Sequence, residues 1–197
     1  MTVLSAPRST PTHTLRLPGG ERVTVRAARP DDAENLQSYV RGLSATSRYS
    51  RFFGPLRELP PAELARVTHM NGPSRVTLIA EVGGPEPAVI GELRYAVLSD
   101  AACEFAISVA DDWRGKGLGN LLLDDLQCRV RALGVESLVG DVLRSNGTML
   151  AFAHKAGFDI AAQSGDPRAV RIVKDLSAPQ AGVRCDELVA PALPMAA

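Results

Sequence analysis

One stretch constrains this chain more than any other. Arg114-Gly115-Lys116-Gly117-Leu118-Gly119-Asn120 follows a run in which Cys103, Phe105, Ile107 and Val109 alternate with Glu104, Ala106 and Ser108. It precedes a run in which Leu118, Leu122, Leu126, Val130 and Leu133 recur at helical spacing. A period of two that gives way to a period near 3.6 is a strand handed to a helix. The glycines let the backbone bend tightly and approach a ligand without a Cβ in the way. The helix start offers unpaired N–H groups and a positive dipole end. Together they form an anion site suited to a pyrophosphate, to which Arg114 and Lys116 add charge. Two other phosphate motifs fit less well. A P-loop ends in Gly-Lys-Ser/Thr, which is missing here. The dinucleotide fingerprint spaces its glycines Gly-x-Gly-x-x-Gly and opens a parallel βαβ unit, whereas these glycines fall at 115, 117 and 119.

The segments around this junction are short and alternate in type. Leu15–Leu17, Pro18-Gly19-Gly20 and Arg22–Arg26 read as strand, turn, strand. Pro30-Asp31 opens a helix with Asp31 as N-cap and Glu34 at capping-box spacing, and Ala33, Leu36, Val40 and Leu43 form its apolar face. Gly42 and Ser44–Arg48 loosen it into a loop that runs to Pro55, and Pro60-Pro61 starts a short helix with Leu64 and Val67 facing the core. Val76–Val82, Ala88–Leu98 and Cys103–Val109 read as consecutive antiparallel strands. After the long helix and its cap at Gly134 come a strand over Glu136–Leu143 and a helix over Thr148–Ala156 that stops at Gly157. A strand beginning at Phe158 and another over Ala169–Leu176 complete the series. Residues 1–14 read as a flexible segment, 15–176 as one α/β domain, and the Ala/Pro-rich 177–197 as a tail.

Charge and cysteine content narrow the function classes. The 197 residues carry 22 Lys plus Arg against 22 Asp plus Glu, so no global charge draws the chain to nucleic acid or an anionic membrane. No apolar run is long enough to span a bilayer, and the N-terminus lacks the apolar stretch of a secretory signal. Cys103, Cys128 and Cys185 are odd in number, far apart and without metal-ligand spacing. They argue against a zinc site or a disulfide framework and for a reducing cytoplasm.

Arg-x-x-Gly-x-Gly at 114–119, set between a strand and an amphipathic helix, resembles motif A of the GNAT superfamily of N-acetyltransferases. Asn146, followed by a helix ending in Lys155-Ala156-Gly157-Phe158, resembles motif B. The resemblance covers about Arg22 to Leu176. It implies a GNAT fold, a mixed and mostly antiparallel sheet flanked by helices, with acetyl-CoA as cosubstrate and no metal. It also implies that the amides of Arg114, Gly115, Lys116, Gly117, Leu118, Gly119 and Asn120 hold the CoA pyrophosphate. Ile107 and Val109 line the pantetheine arm, and Asn146 and Lys155 add contacts to CoA.

A narrower resemblance links Ser47-Arg48-Tyr49 and Arg51-Phe52-Phe53 to the acceptor-side loop of Pat-type bacterial protein lysine acetyltransferases. It implies substrate contacts from Tyr49, Arg51, Phe52 and Phe53, and a general base at Glu104. The acceptor it implies is a primary amine, a protein lysine among the candidates, attacked directly in a ternary complex. A small amine or amino acid as acceptor, or a non-catalytic acetyl-CoA sensor, are the other readings, and the oligomeric state stays open. Many family members carry a tyrosine seven residues after the motif B asparagine. Here that position is Ala153, and a thiolate is a good enough leaving group to depart without a dedicated acid.

Overall fold

The computed structural model describes residues 12–72, 74–99, 101–161, 165–177 and 185. In chain order the elements are β1 (His13–Arg16), β2 (Arg22–Ala27), α1 (Ala33–Gly42), α2 (Ala45–Phe52), α3 (Pro61–Thr68), β3 (Asn71–Gly72), β4 (Arg75–Val82), β5 (Ala88–Ser99) and β6 (Ala102–Val109). Then come α4 (Leu118–Arg131), β7 (Ser137–Leu143), α5 (Gly147–Lys155), β8 (Asp159–Ala161) and β9 (Ala169–Asp175). The strands form one sheet in the order β1-β2-β4-β5-β6-β7-β9-β8, with β3 beside β4. Every pairing is antiparallel except that of β6 with β7. The mixed, mostly antiparallel sheet flanked by helices is therefore the architecture the sequence implied.

Strand alternation divides the core between two faces. Leu78, Leu93, Cys103, Phe105 and Leu138 point to the side of α4, where Leu118, Leu122 and Leu126 are buried against them. Ile79 and Val89 point the other way, to Leu36 and Val40 of α1 and Val67 of α3. The alternating residues of β6 split as their pattern requires, with Glu104 and Ser108 on the side opposite Phe105.

One pairing creates the opening that matters. β6 and β7 run parallel and pair only over Ala102–Glu104 and Ser137–Val139. Beyond Glu104 the two strands part. Gly140 stands at the fork, where a Cβ would lie 3.3 Å from the Phe105 ring and carbonyl oxygen.

The structure departs from the sequence reading in four places. Residues 45–52, read as loop, form α2, because the Ser44 hydroxyl accepts from the Ser47 N–H and caps the helix. The first helix begins with a 3₁₀ turn at Pro30–Asp32, and the carboxylate that caps it is Asp32, accepting at 2.6 Å from the Arg29 N–H, rather than a box at Asp31 and Glu34. β1 begins at His13, inside the segment read as flexible; the rest of that segment, to residue 11, lies outside the described residues. Finally, Cys128 and Cys185 are joined in a disulfide, where the sequence reading argued against a disulfide framework. Their separation of 57 residues resembles no motif, and the pair meets because chain beyond β9 returns to α4. The argument from cysteine use to a reducing compartment loses its support. The rest of the expected tail past Ser177 lies outside the described residues.

Candidate active site

A cavity of about 840 Å³ follows the fork between β6 and β7 from the glycine turn to α2. That size is ordinary for a small-molecule or cofactor site. Gly115 and Gly117 hold φ of +73° and +92°, the left-handed region that favours glycine. A Cβ on Gly117 would lie 3.1 Å from Pro18, and one on Gly119 would lie 3.3 Å from the Phe152 ring. The turn is thus a backbone cradle in which side chains at Gly117 and Gly119 would meet close neighbours. The first bond inside α4 runs from the Leu121 N–H to the Gly117 carbonyl, which leaves the amides from Gly115 to Asn120 as helix-start donors; the Arg114 N–H, expected among them, is instead taken by the Asp111 carbonyl at 3.3 Å.

The positive side chains of the turn are committed elsewhere. Arg114 donates to the Ser47 hydroxyl at 2.6 Å and pairs with Asp111 at 3.2 Å, while the Lys116 ammonium sits 4.4 Å from the centre of the Trp113 ring. Leu118 is buried in the core, so only its backbone can meet a ligand. Ile107, Val109, Gly115, Lys116, Gly119 and Asn120 all line the cavity, as do Arg114 and Gly117. Asn146 lines it too, but its Oδ1 caps α5 by accepting from the Met149 N–H at 3.1 Å, which leaves the amide nitrogen to face a ligand. Lys155 is exposed at the far end of α5 and does not line the cavity.

The other end of the cavity is walled by α2. Asp111 holds that helix in place, accepting from the Ser44 N–H at 2.8 Å and the Ser47 hydroxyl at 2.7 Å. Burial pushes the Asp111 carboxyl up, but the Ser44 and Ser47 donors and Arg114 outweigh it and hold the group below its ordinary value. Arg51 and Phe53 line the cavity. Tyr49 and Phe52 do not: Tyr49 is exposed and its hydroxyl accepts from Arg168, and Phe52 packs beside the α1 core under the Arg51 guanidinium. Phe53 adopts φ of +59°, costly for a bulky residue, and its carbonyl accepts from Arg168 at 3.2 Å.

Glu104 sits on the α2 side of the sheet, about half exposed and outside the residues that line the cavity. Arg171 lies 4.0 Å from it and binds Asp141 through two bonds of 3.0 Å. Asp141, which the sequence reading missed, does line the cavity, one fork strand over from Glu104. Also missed were Pro18, Gly19 and Glu21 of the β1–β2 turn and Gly140 of β7. The Gly19-Gly20 pair signalled a turn, but nothing local placed that turn against Gly117. Cys103, beside Glu104, is no nucleophile: burial pushes its thiol up to about 12.

Comparison with known proteins agrees with this geometry. The sequence profile described as "Acetyltransferase (GNAT) family" matches residues 44–158. An acetyltransferase of Pseudomonas aeruginosa is 30% identical over 146 residues, covering 72% of this chain and 77% of the relative. An L-methionine sulfoximine/L-methionine sulfone acetyltransferase of the same organism is 38% identical over 60 residues, 30% of this chain and 35% of that one. Among solved structures, the GNAT domain of S. lividans PAT superposes with a TM-score of 0.76 at 29% identity, covering 83% of this chain and 96% of that domain.

Proposed function

Because the chain belongs to the GNAT acetyltransferase family, and is by that membership an acyltransferase, we propose that it transfers the acetyl group of acetyl-CoA to a primary amine with Glu104 as general base. The observation that carries this reading is the continuity of the cavity, which joins the glycine-rich amide cradle to the fork of β6 and β7 and ends at α2. In it the pyrophosphate lies on the amides of 115–120 and the pantetheine arm lies in the fork beside Ile107 and Val109. The thioester then stops short of α2, facing the acceptor.

Chemistry follows from that arrangement. An alkylamine has a pKa of about 10.4, so at neutral pH it arrives as an ammonium and cannot attack. Glu104, directly or through water, takes one proton; the freed lone pair attacks the thioester carbonyl carbon. A backbone N–H near Val109 stabilises the oxyanion, the C–S bond breaks as the tetrahedral centre collapses, and the CoA thiolate leaves, taking up the second proton that the acylated nitrogen gives up, directly or through solvent. Asp141 supports a second assignment of the base, since it lines the cavity and Glu104 does not, though its bidentate pairing with Arg171 ties up both its oxygens. A protein lysine is the acceptor that the likeness to Pat-type enzymes favours; the likeness to the L-methionine sulfoximine/L-methionine sulfone acetyltransferase favours an amino acid.

The test is Glu104→Gln beside Asp141→Asn. Glu104→Gln is expected to bind acetyl-CoA normally and to lose turnover by about 10²- to 10⁴-fold at neutral pH, with partial recovery as the pH is raised. Wild-type turnover in Glu104→Gln with loss in Asp141→Asn would transfer the role of base to Asp141.

A further inference from the structure

We propose that Ser108 is a further catalytic residue: its hydroxyl, held by the buried phenol of Tyr39, passes a proton to the sulfur of CoA as the thioester breaks. This rests on the reading of the cavity as an acyl-transfer site and assigns a carrier to the second proton of that reaction. Ser108 lines the cavity and is half-buried. It shares the α2 side of the sheet with Glu104, two alternations back along β6. Its backbone neighbour fixes where the reacting carbonyl would lie. The Ala110 N–H donates to the Ile90 carbonyl on β5 at 2.9 Å. Successive N–H groups of a strand point to opposite edges, so the Val109 N–H faces away from β5 and into the fork. A thioester oxygen on that N–H sets its carbon, its sulfur and the attacking nitrogen beside residue 108.

The hydroxyl is oriented for this use. Tyr39 on α1 is only 6% exposed, and its phenol donates to Ser108 Oγ at 2.9 Å. Burial pushes that phenol up from its ordinary value, with the Ser108 bond opposing, so it stays protonated and remains a donor. A serine oxygen has one proton and two acceptor positions. Tyr39 fills one acceptor position, and among the described residues Ser108 Oγ has no other side-chain partner. One lone pair and the proton are left for the cavity. Ser47 on the facing wall is the contrast, because its proton goes to Asp111.

The step leaves Ser108 unchanged. As the tetrahedral centre collapses, the electron pair of the C–S bond goes to sulfur. The Ser108 hydroxyl proton moves to that sulfur, and the second proton of the acylated nitrogen moves onto the free Oγ lone pair. The products are the amide and CoA as its thiol. Ser108 is a hydroxyl again, and the Tyr39 proton has not moved.

The test reads CoA itself and needs no acceptor. CoA bound to the full chain is titrated with pH and its thiolate followed by ultraviolet absorbance, with desulfo-CoA as the blank. A hydroxyl that donates to sulfur favours the thiolate. The bound thiol is expected to ionise about 1 pH unit higher in Ser108→Ala than in the wild type, and higher by a smaller margin in Tyr39→Phe, where the hydroxyl is free to turn away. The charged groups nearby, Glu104, Asp141, Arg171 and Arg114, are common to all three proteins, so the difference reads the hydroxyl. Turnover is followed in parallel with a blocked lysine peptide and with L-methionine sulfoximine. Ser108→Ala is expected to lower kcat by about 10- to 100-fold, the low end of acid catalysis because a thiolate leaves readily, with little change in the KM for acetyl-CoA.

An unchanged bound thiol in Ser108→Ala overturns the proposal even where turnover falls, since the hydroxyl would then serve only the oxyanion. An unchanged kcat overturns it as well. A wild-type thiol in Tyr39→Phe overturns the part given to Tyr39. Where neither amine is turned over, the thiol decides alone. If Ser108→Ala does not fold, the wild type decides: a bound thiol that ionises no more readily than that of free CoA overturns the proposal. Failure of CoA to bind in calorimetry would instead bring down the reading of the cavity itself.

Discussion

Gly117→Ala should harm the protein in two separable ways. The residue holds φ of +92°, and an L-residue there costs about 1–2 kcal/mol. Its new Cβ would also lie 3.1 Å from Cδ and 3.4 Å from Cγ of Pro18, a rigid ring in the β1–β2 turn that must shift by a few tenths of an ångström. Overpacking of this kind adds roughly 1 kcal/mol at its low end. The sum, about 2–3 kcal/mol, corresponds to a fall in Tm of about 4–12 °C for a domain of this size. Two neighbours serve as controls. Gly115→Ala carries the strain without the contact, since φ is +73° and nothing lies within 4 Å of the new Cβ; its Tm should fall by about 2–8 °C. Gly119→Ala carries the contact without the strain, and the better helix propensity of alanine, worth up to about 1 kcal/mol, should leave its stability nearly unchanged. Thermal melts read these differences, and calorimetric titration with acetyl-CoA reads the ligand. A Gly117→Ala protein with wild-type Tm would refute the strain argument. A folded Gly117→Val protein with wild-type affinity for acetyl-CoA would refute the placement of the pyrophosphate.

Asn146→Ala removes the cap of α5 and should cost about 1 kcal/mol in a thermal melt, while raising the KM for acetyl-CoA more than that for the acceptor. An effect on the acceptor alone would contradict the placement of Asn146 beside CoA. Asp111 is held below its ordinary carboxyl value, so its contribution is complete above that value and is lost as the pH falls through the lowered one. Tm measured against pH should therefore decline less steeply in acid for Asp111→Asn than for the wild type, from a lower plateau at neutral pH. Thiol titration of the denatured, unreduced protein should find one free thiol of the three cysteines, that of Cys103, and a count of three would exclude the Cys128–Cys185 pair.

The glycine turn and the strand and helix beside it were legible because their signals are local. Glycine spacing, strand alternation and the leucine repeat all lie between Cys103 and Leu133, and the pattern survives in the structure nearly residue for residue. The half walled by α2 was not legible, because contacts distant in sequence assemble it. α2 owes its position to Asp111, 67 residues from Ser44, and its end to Arg168, 119 residues from Tyr49. Ser44 was a usable N-cap signal, but the polar run behind it offered no apolar stripe to mark a helix. Asp141 escaped for a related reason: on β7 it is one more alternating residue, and only the divergence of β7 from β6 turns it toward the cavity.

This division bears on how the family's shared chemistry can serve different acceptors. The cradle is made of backbone, so its demands fall on a few glycines and leave little room for variation. The opposite wall is made of side chains on α2, and that helix is attached to the sheet by polar contacts at both ends. Asp111 ties the start of α2 to the same turn that carries Arg114, which links the position of the acceptor wall to that of the CoA cradle. Its other end is held by Arg168, which also grips Asp166 at 2.7 Å in the loop before β9. Arg51 lies between these anchors, and Phe53 is kept in a strained conformation by one of them. Changes at the Arg168 anchor would move the wall without touching the cradle, whereas changes at Asp111 would also reach Arg114 of the glycine turn. On the proposed reading, acceptor choice can therefore change at the Arg168 end of α2, with the glycine turn and the fork of β6 and β7 left as they are.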